Sequence, residues 1–107
     1  MKYVISVTCR NLASGYLEWT AQLLTRCQVT NLPQSVLQEL RGQLSRYPGV
    51  VACTLSRDSL AVAMDLNPEG PAKQRLFNEA LNLVILGITA NGRMPFEVHF
   101  PQGRPTF

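Results

Sequence analysis

The chain has little charge, no closely spaced cysteines and no long apolar run, and each lack removes a class of function. Charged residues make up 16% of its 107 positions against 46% hydrophobic ones, the reverse of the composition that keeps a chain unfolded. Its three cysteines, Cys9, Cys27 and Cys53, are too far apart for a disulfide framework or for paired zinc ligands, so they read as buried thiols. Gly15, Gly42 and Gly49 have neither GxGxxG nor Walker spacing, which excludes nucleotide binding through those loops. The most apolar stretch, Leu81 to Ile88, falls far short of the roughly 20 residues that cross a bilayer. At the amino end the apolar run is broken by Ser6 and Thr8. A strand explains it better than a signal peptide, and the expected location is the cytoplasm.

The formal charge of +3 comes from ten basic and seven acidic residues. The basic side chains, among them Arg10, Arg26, Arg41, Arg57, Arg75 and Arg93, are scattered rather than gathered in the stripe that neutralises a phosphate backbone. Nucleic acid is therefore a weakly supported partner. A chain of this length buries a core without disulfide or metal staples. One domain over residues 1–101 is expected, followed by an irregular tail over 102–107.

Periodicity supplies the elements. Tyr3, Ile5, Val7 and Cys9 alternate with Val4, Ser6 and Thr8, the period of a half-buried strand. From Ser14, taken as a cap, the residues Tyr16, Leu17, Thr20, Leu23, Leu24 and Cys27 recur at three and four, which predicts a helix ending near Gln28. Asn31-Leu32-Pro33 breaks it. Val36, Leu37, Leu40, Leu44 and Tyr47 predict a second helix, stopped by Pro48-Gly49. Val51, Cys53 and Leu55, then Leu60, Val62, Met64 and Leu66, form the inner faces of a hairpin turning near Arg57-Asp58. Asn67-Pro68-Glu69-Gly70-Pro71 leads into a third helix with Phe77, Ala80, Leu81, Val84 and Ile88 inward. Its second half is apolar nearly all round and needs cover on more than one side. Asn91-Gly92 then turns the chain into a last strand with Phe96, Val98 and Phe100 inward, ended by Pro101.

The predicted order is strand, helix, helix, strand, strand, helix, strand. With one helix set aside, this is the split βαβ pattern, and the expected class is α+β: a ferredoxin-like sandwich with a four-stranded antiparallel sheet and an extra helix. The stretch Leu37 to Leu66, a helix ending in Pro-Gly-Val followed by a hairpin, resembles the corresponding part of many such domains, including small-ligand regulatory and metal-carrying ones. That likeness is of fold alone.

Specific chemistry is sparse. Metal carriers of this shape need two soft thiolates converging on one ion, but Cys9 is followed by Arg10, Asn11 and Leu12, so no metal and no cofactor is expected. RNA-recognition modules stack bases on aromatic residues of the open sheet face, where this chain offers Ala52, Thr54, Ala61 and Ala63. His99, the only histidine, shares a strand face with Glu97. A carboxylate beside an imidazole can orient a general base, but a solvated strand face is the favoured explanation of the pair, since no nucleophile or third group is visible. Trp19 and Tyr3 read as core residues.

The strand residues opposite the predicted helices include Val4, Ser6, Thr8, Ala52, Thr54, Ala61, Ala63, Asp65, Glu97 and His99. Small and β-branched residues there allow another surface to approach closely. The expected function is a non-catalytic binding or regulatory module that associates through this face as a homodimer or with a protein partner. Its binding candidates are Ser6, Thr8, Thr54, Ala61, Ala63 and His99. The alternative is a dimeric ferredoxin-fold enzyme, oxygenase-like or binding a small molecule, that uses His99 and Glu97.

Overall fold

The computed structural model describes residues 3–11, 16–26, 28–65 and 71–105. Strands β1 (Tyr3–Asn11), β2 (Tyr16–Thr25) and β3 (Gln28–Val29) precede helix α1 (Gln34–Leu44). Strands β4 (Val50–Leu55) and β5 (Ser59–Asp65), helix α2 (Pro71–Ile88) and strand β6 (Phe96–His99) follow. The sheet runs β4-β5-β2-β1-β6, with β3 paired to the end of β2. Neighbours are antiparallel except β6, which lies parallel to β1.

This is an α+β fold with a six-stranded mixed sheet and two helices, not the expected four-stranded ferredoxin-like sandwich with three. The correction lies in residues 16–25. Their apolar positions satisfy two periods at once: Tyr16, Thr20, Leu23 and Leu24 recur at helical spacing, while Leu17, Trp19, Ala21 and Leu23 recur at two. The period of two prevails. Leu17, Trp19, Ala21 and Leu23 are all buried on one face, and the residues between them are half-buried. The segment is also the central strand, since β2 pairs with β1 along one side and with β5 along the other. Aromatic and β-branched residues such as Tyr16, Trp19 and Thr20 suit that pleated setting. The supposed cap Ser14 and the last helical residue Cys27 lie outside the described residues, as does most of the predicted turn before α2. Arg26 takes a left-handed φ of 54° at the tight turn into β3.

The other elements fall where their spacing placed them. Leu37, Leu40 and Leu44 form the buried face of α1. Gly49, at φ 90°, follows Pro48, and its carbonyl accepts the Asp65 amide at 2.7 Å, tying the entry of β4 to the end of β5. Val51 departs from the expected inward face. A bulge between Val50 and Ala52 inserts it as an extra residue and leaves it 55% exposed. Phe100 lies just past β6, in a turn closed by the Gly103 amide on its carbonyl at 3.0 Å. The Arg104 guanidinium sits over its ring, 5.0 Å from the centroid.

The buried residues form a core between one sheet face and the two helices. Trp19 is at its centre, edge-on to Phe77 with ring centroids 6.1 Å apart, and its indole Nε1 donates to Met64 Sδ at 3.3 Å. The apolar second half of α2 buries Val84 and Ile88 in the core and meets α1 at Gly87, which abuts Leu40. Leu86 is left 47% exposed, on the wall of a groove of about 290 Å³ between the helices. Among the described residues, no helix is long and apolar enough to cross a membrane.

Candidate functional site

With the core on the helical side, no helix among the described residues lies over the opposite sheet face, and the pairing register shows which side chains meet there. Residues directly opposite in a ladder share a face and lie about 5 Å apart. One row across the sheet reads His99, Ser6, Gln22 and Ser59; the next reads Thr8, Thr20, Ala61 and Thr54. A third reads Arg10, Glu18, Ala63 and Ala52. Glu97, Val4, Leu24 and Val29 make a fourth at the β3 end. The six residues expected to bind, Ser6, Thr8, Thr54, Ala61, Ala63 and His99, thus lie in three adjacent rows of one surface.

The middle of the surface carries hydroxyls, methyl groups and one amide, with charge confined to its ends. Arg10 donates to Glu18 at 2.9 Å, which neutralises the pair within the face. Such an exposed pair contributes under about 1 kcal/mol to stability, so its consequence is the charge pattern. Near it, Thr8, Cys9, Arg10, Glu18, Thr20 and Gln102 line a depression of about 290 Å³. His99 and Glu97 do not contribute to it. They stand exposed on the short edge strand β6, opposite Ser6 and Val4 respectively. This brings the imidazole beside the Ser6 hydroxyl row.

Sequence reasoning missed the central strand of this surface. Glu18, Thr20 and Gln22 form the central column of the face, but they belong to the segment read as a helix. The signal that finds them is the alternation of Leu17, Trp19, Ala21 and Leu23, which sends the residues between them to the other side.

By register the thiols belong to the core side of the sheet, although Cys9 also borders the depression. Cys9 and Cys53 are free and half-buried, in one inward-facing row with Trp19 and Val62. Burial pushes both thiols above their ordinary pKa, with the Arg41 charge partly offsetting this at Cys53. That is the inert state of a thiol, since the thiolate is the nucleophile. Among the described residues, no group of three or more histidine, cysteine or acidic side chains is placed to hold a metal ion.

No family model, no curated protein and no solved structure matches this chain.

Proposed function

We propose that this domain is a non-catalytic binding module that acts by protein–protein association through the open face of its sheet, with a second copy of the chain as the partner that fits it. The observation that carries this reading is the row Thr8, Thr20, Ala61 and Thr54, four small or β-branched side chains spanning four strands with no helix among the described residues above them. A face built only for water would place lysine, glutamate and arginine at such central positions. Short side chains instead let a second sheet settle at about 10 Å, the usual separation of stacked sheets.

Size supports the same reading. Five strands at about 4.8 Å and six residue steps at about 3.4 Å give a patch of roughly 24 by 20 Å. That is on the order of 500 Å² in projection and more in accessible surface, close to the roughly 800 Å² each partner contributes to a standard interface. A two-fold axis lying between the sheets brings the patch against itself, as an isologous dimer requires. Catalysis by His99 and Glu97 lacks comparable support. The ferredoxin-like frame that suggested it is not the fold of this chain, and the two side chains lie apart from the depression on the face.

Sedimentation velocity of the purified protein and of Ala61→Arg tests the proposal. The expected result is a self-associated wild type and a loss of that association in Ala61→Arg, with the circular dichroism spectrum unchanged. Equal association states in the two proteins would overturn it.

A further inference from the structure

The sheet ends in two strands of opposite character. At one edge β6 is four residues long, flanked by Pro95 and Pro101, and presents the exposed side chains of Glu97 and His99. Short length, charge and proline are the devices that keep an edge strand from pairing with another chain. At the other edge β4 reads Val50-Val51-Ala52-Cys53-Thr54-Leu55, without a charge, a proline or a glycine. Val51, Ala52 and Thr54 are exposed, and among the described residues no strand lies beyond β4. Its one guard is the bulge at Val51. The next four residues, Ala52 to Leu55, keep an unbroken register with β5.

We propose that the outer edge of β4 pairs antiparallel with β4 of a second copy of this chain, joining two sheets into one across a two-fold axis perpendicular to the sheet. The occupant follows from symmetry and charge. A two-fold axis perpendicular to the sheet presents identical edge strands to each other antiparallel, so strand polarity is satisfied without a second kind of partner. Such pairing sets like residues near like, and a charged strand would repel itself. β4 carries no charge to repel.

Helix α1 extends the contact. It packs over β4, so joining the strands sets two α1 helices side by side. Val36, Glu39 and Gln43 line the groove toward α2. By helical spacing, the exposed residues on the opposite flank are Gln34, Gln38, Arg41 and Ser45. The amides of Gln34 and Gln38 supply donors and acceptors there, the Ser45 hydroxyl being engaged with the Gly42 carbonyl at 2.9 Å, and Gly42 has nothing within 4 Å of its missing Cβ.

The edge contact is independent of the contact through the open face. An axis perpendicular to the sheet and an axis lying between two sheets combine into a closed four-chain assembly, two joined sheets stacked face to face. Native mass spectrometry of the wild type, Val51→Lys and Ala61→Arg separates the two contacts. Val51 is exposed, so Val51→Lys should keep the wild-type circular dichroism spectrum while halving the mass of the assembly. Ala61→Arg should leave a dimer joined by β4. The edge contact is overturned by a monomeric wild type, by a Val51→Lys protein of wild-type mass, or by a monomeric Ala61→Arg. An Ala61→Arg protein of wild-type mass, with Val51→Lys monomeric, removes the face contact and leaves the edge contact standing. Hydrogen exchange of the wild type needs no variant: the amides of residues 52–55 should exchange faster on dilution, and equal rates at high and low concentration would also overturn the edge contact.

Discussion

Gly87 and Leu40 hold the two helices together by what Gly87 lacks. A Cβ on Gly87 would lie 2.6 Å from Leu40 Cδ2 and 3.0 Å from its Cγ, so the buried Leu40, which borders the groove between the helices, must shift to admit it. An alanine here gains about 1 kcal/mol of intrinsic helix preference, but overpacking a closed contact costs about 1–3 kcal/mol. The net effect of Gly87→Ala is a loss on the order of 1 kcal/mol, or a melting temperature lower by about 4–8 °C in a domain of this size. Thermal unfolding followed by the fluorescence of Trp19, the only tryptophan and fully buried, measures it. A more stable Gly87→Ala would show that the helices part without cost.

That close approach was not visible in the sequence, although both helices were. Leu37, Leu40 and Leu44 on α1, and Phe77, Ala80, Val84 and Ile88 on α2, recur at one period only, and they lie on the buried faces the period assigns. The hairpin of β4 and β5 was equally legible, because Leu60, Val62 and Met64 alternate with small residues. Two readings failed for different reasons. In residues 16–25 the same side chains satisfy two periods, and the choice is made by the neighbours: β1 and β5 both need a partner between them, and β2 is that partner. At Val51 the alternation was read without a bulge, which no periodicity announces. The composition of the open face was legible in outline because its outer strands were, but its central column of Glu18, Thr20 and Gln22 vanished with the strand that carries it.

Tyr47 links the end of α1 to the middle of α2 by donating its hydroxyl hydrogen bond to Glu79. Its pKa is pushed up to about 12, first by desolvation of the ring hydroxyl, then by the hydrogen bond and the negative charge of Glu79, with Arg75 opposing. The folded pKa lies above the ordinary value of 10.0, so the neutral phenol is the form that folding favours. Its contribution is complete below pH 10 and is lost as pH rises toward 12. An ultraviolet titration of phenolate formation should show one component near 12 that disappears in Tyr47→Phe. In Glu79→Gln the component should move down, since the neighbouring charge is gone. An unmoved titration in Glu79→Gln would remove the carboxylate from the account.

Thr89 closes the far end of the same helix. It is a fully buried polar residue whose hydroxyl donates to the Ile85 carbonyl at 2.7 Å and accepts the Gly92 amide at 3.1 Å. Between these contacts the chain makes three consecutive left-handed residues, Ala90 at φ 53°, Asn91 at 61° and Gly92 at 81°. The Asn91 amide reaches back to the Leu86 carbonyl at 2.7 Å, so the turn satisfies helix-end carbonyls as it reverses the chain toward β6. Valine matches threonine in shape but has no hydroxyl. Thr89→Val removes the bond to the Ile85 carbonyl and leaves the Gly92 amide, on an exposed residue, to water, so the loss is that of ordinary hydrogen bonds, about 0.5–1.5 kcal/mol each. Ala90→Gly has the opposite sign: a left-handed non-glycine residue is strained by roughly 1–2 kcal/mol, and glycine recovers part of that against its larger unfolded-state entropy. Chemical denaturation should place Thr89→Val below the wild type and Ala90→Gly at or above it. The two effects should not simply add in the double variant, because both residues belong to one turn and its relaxed backbone is free to reorient the Gly92 amide toward water.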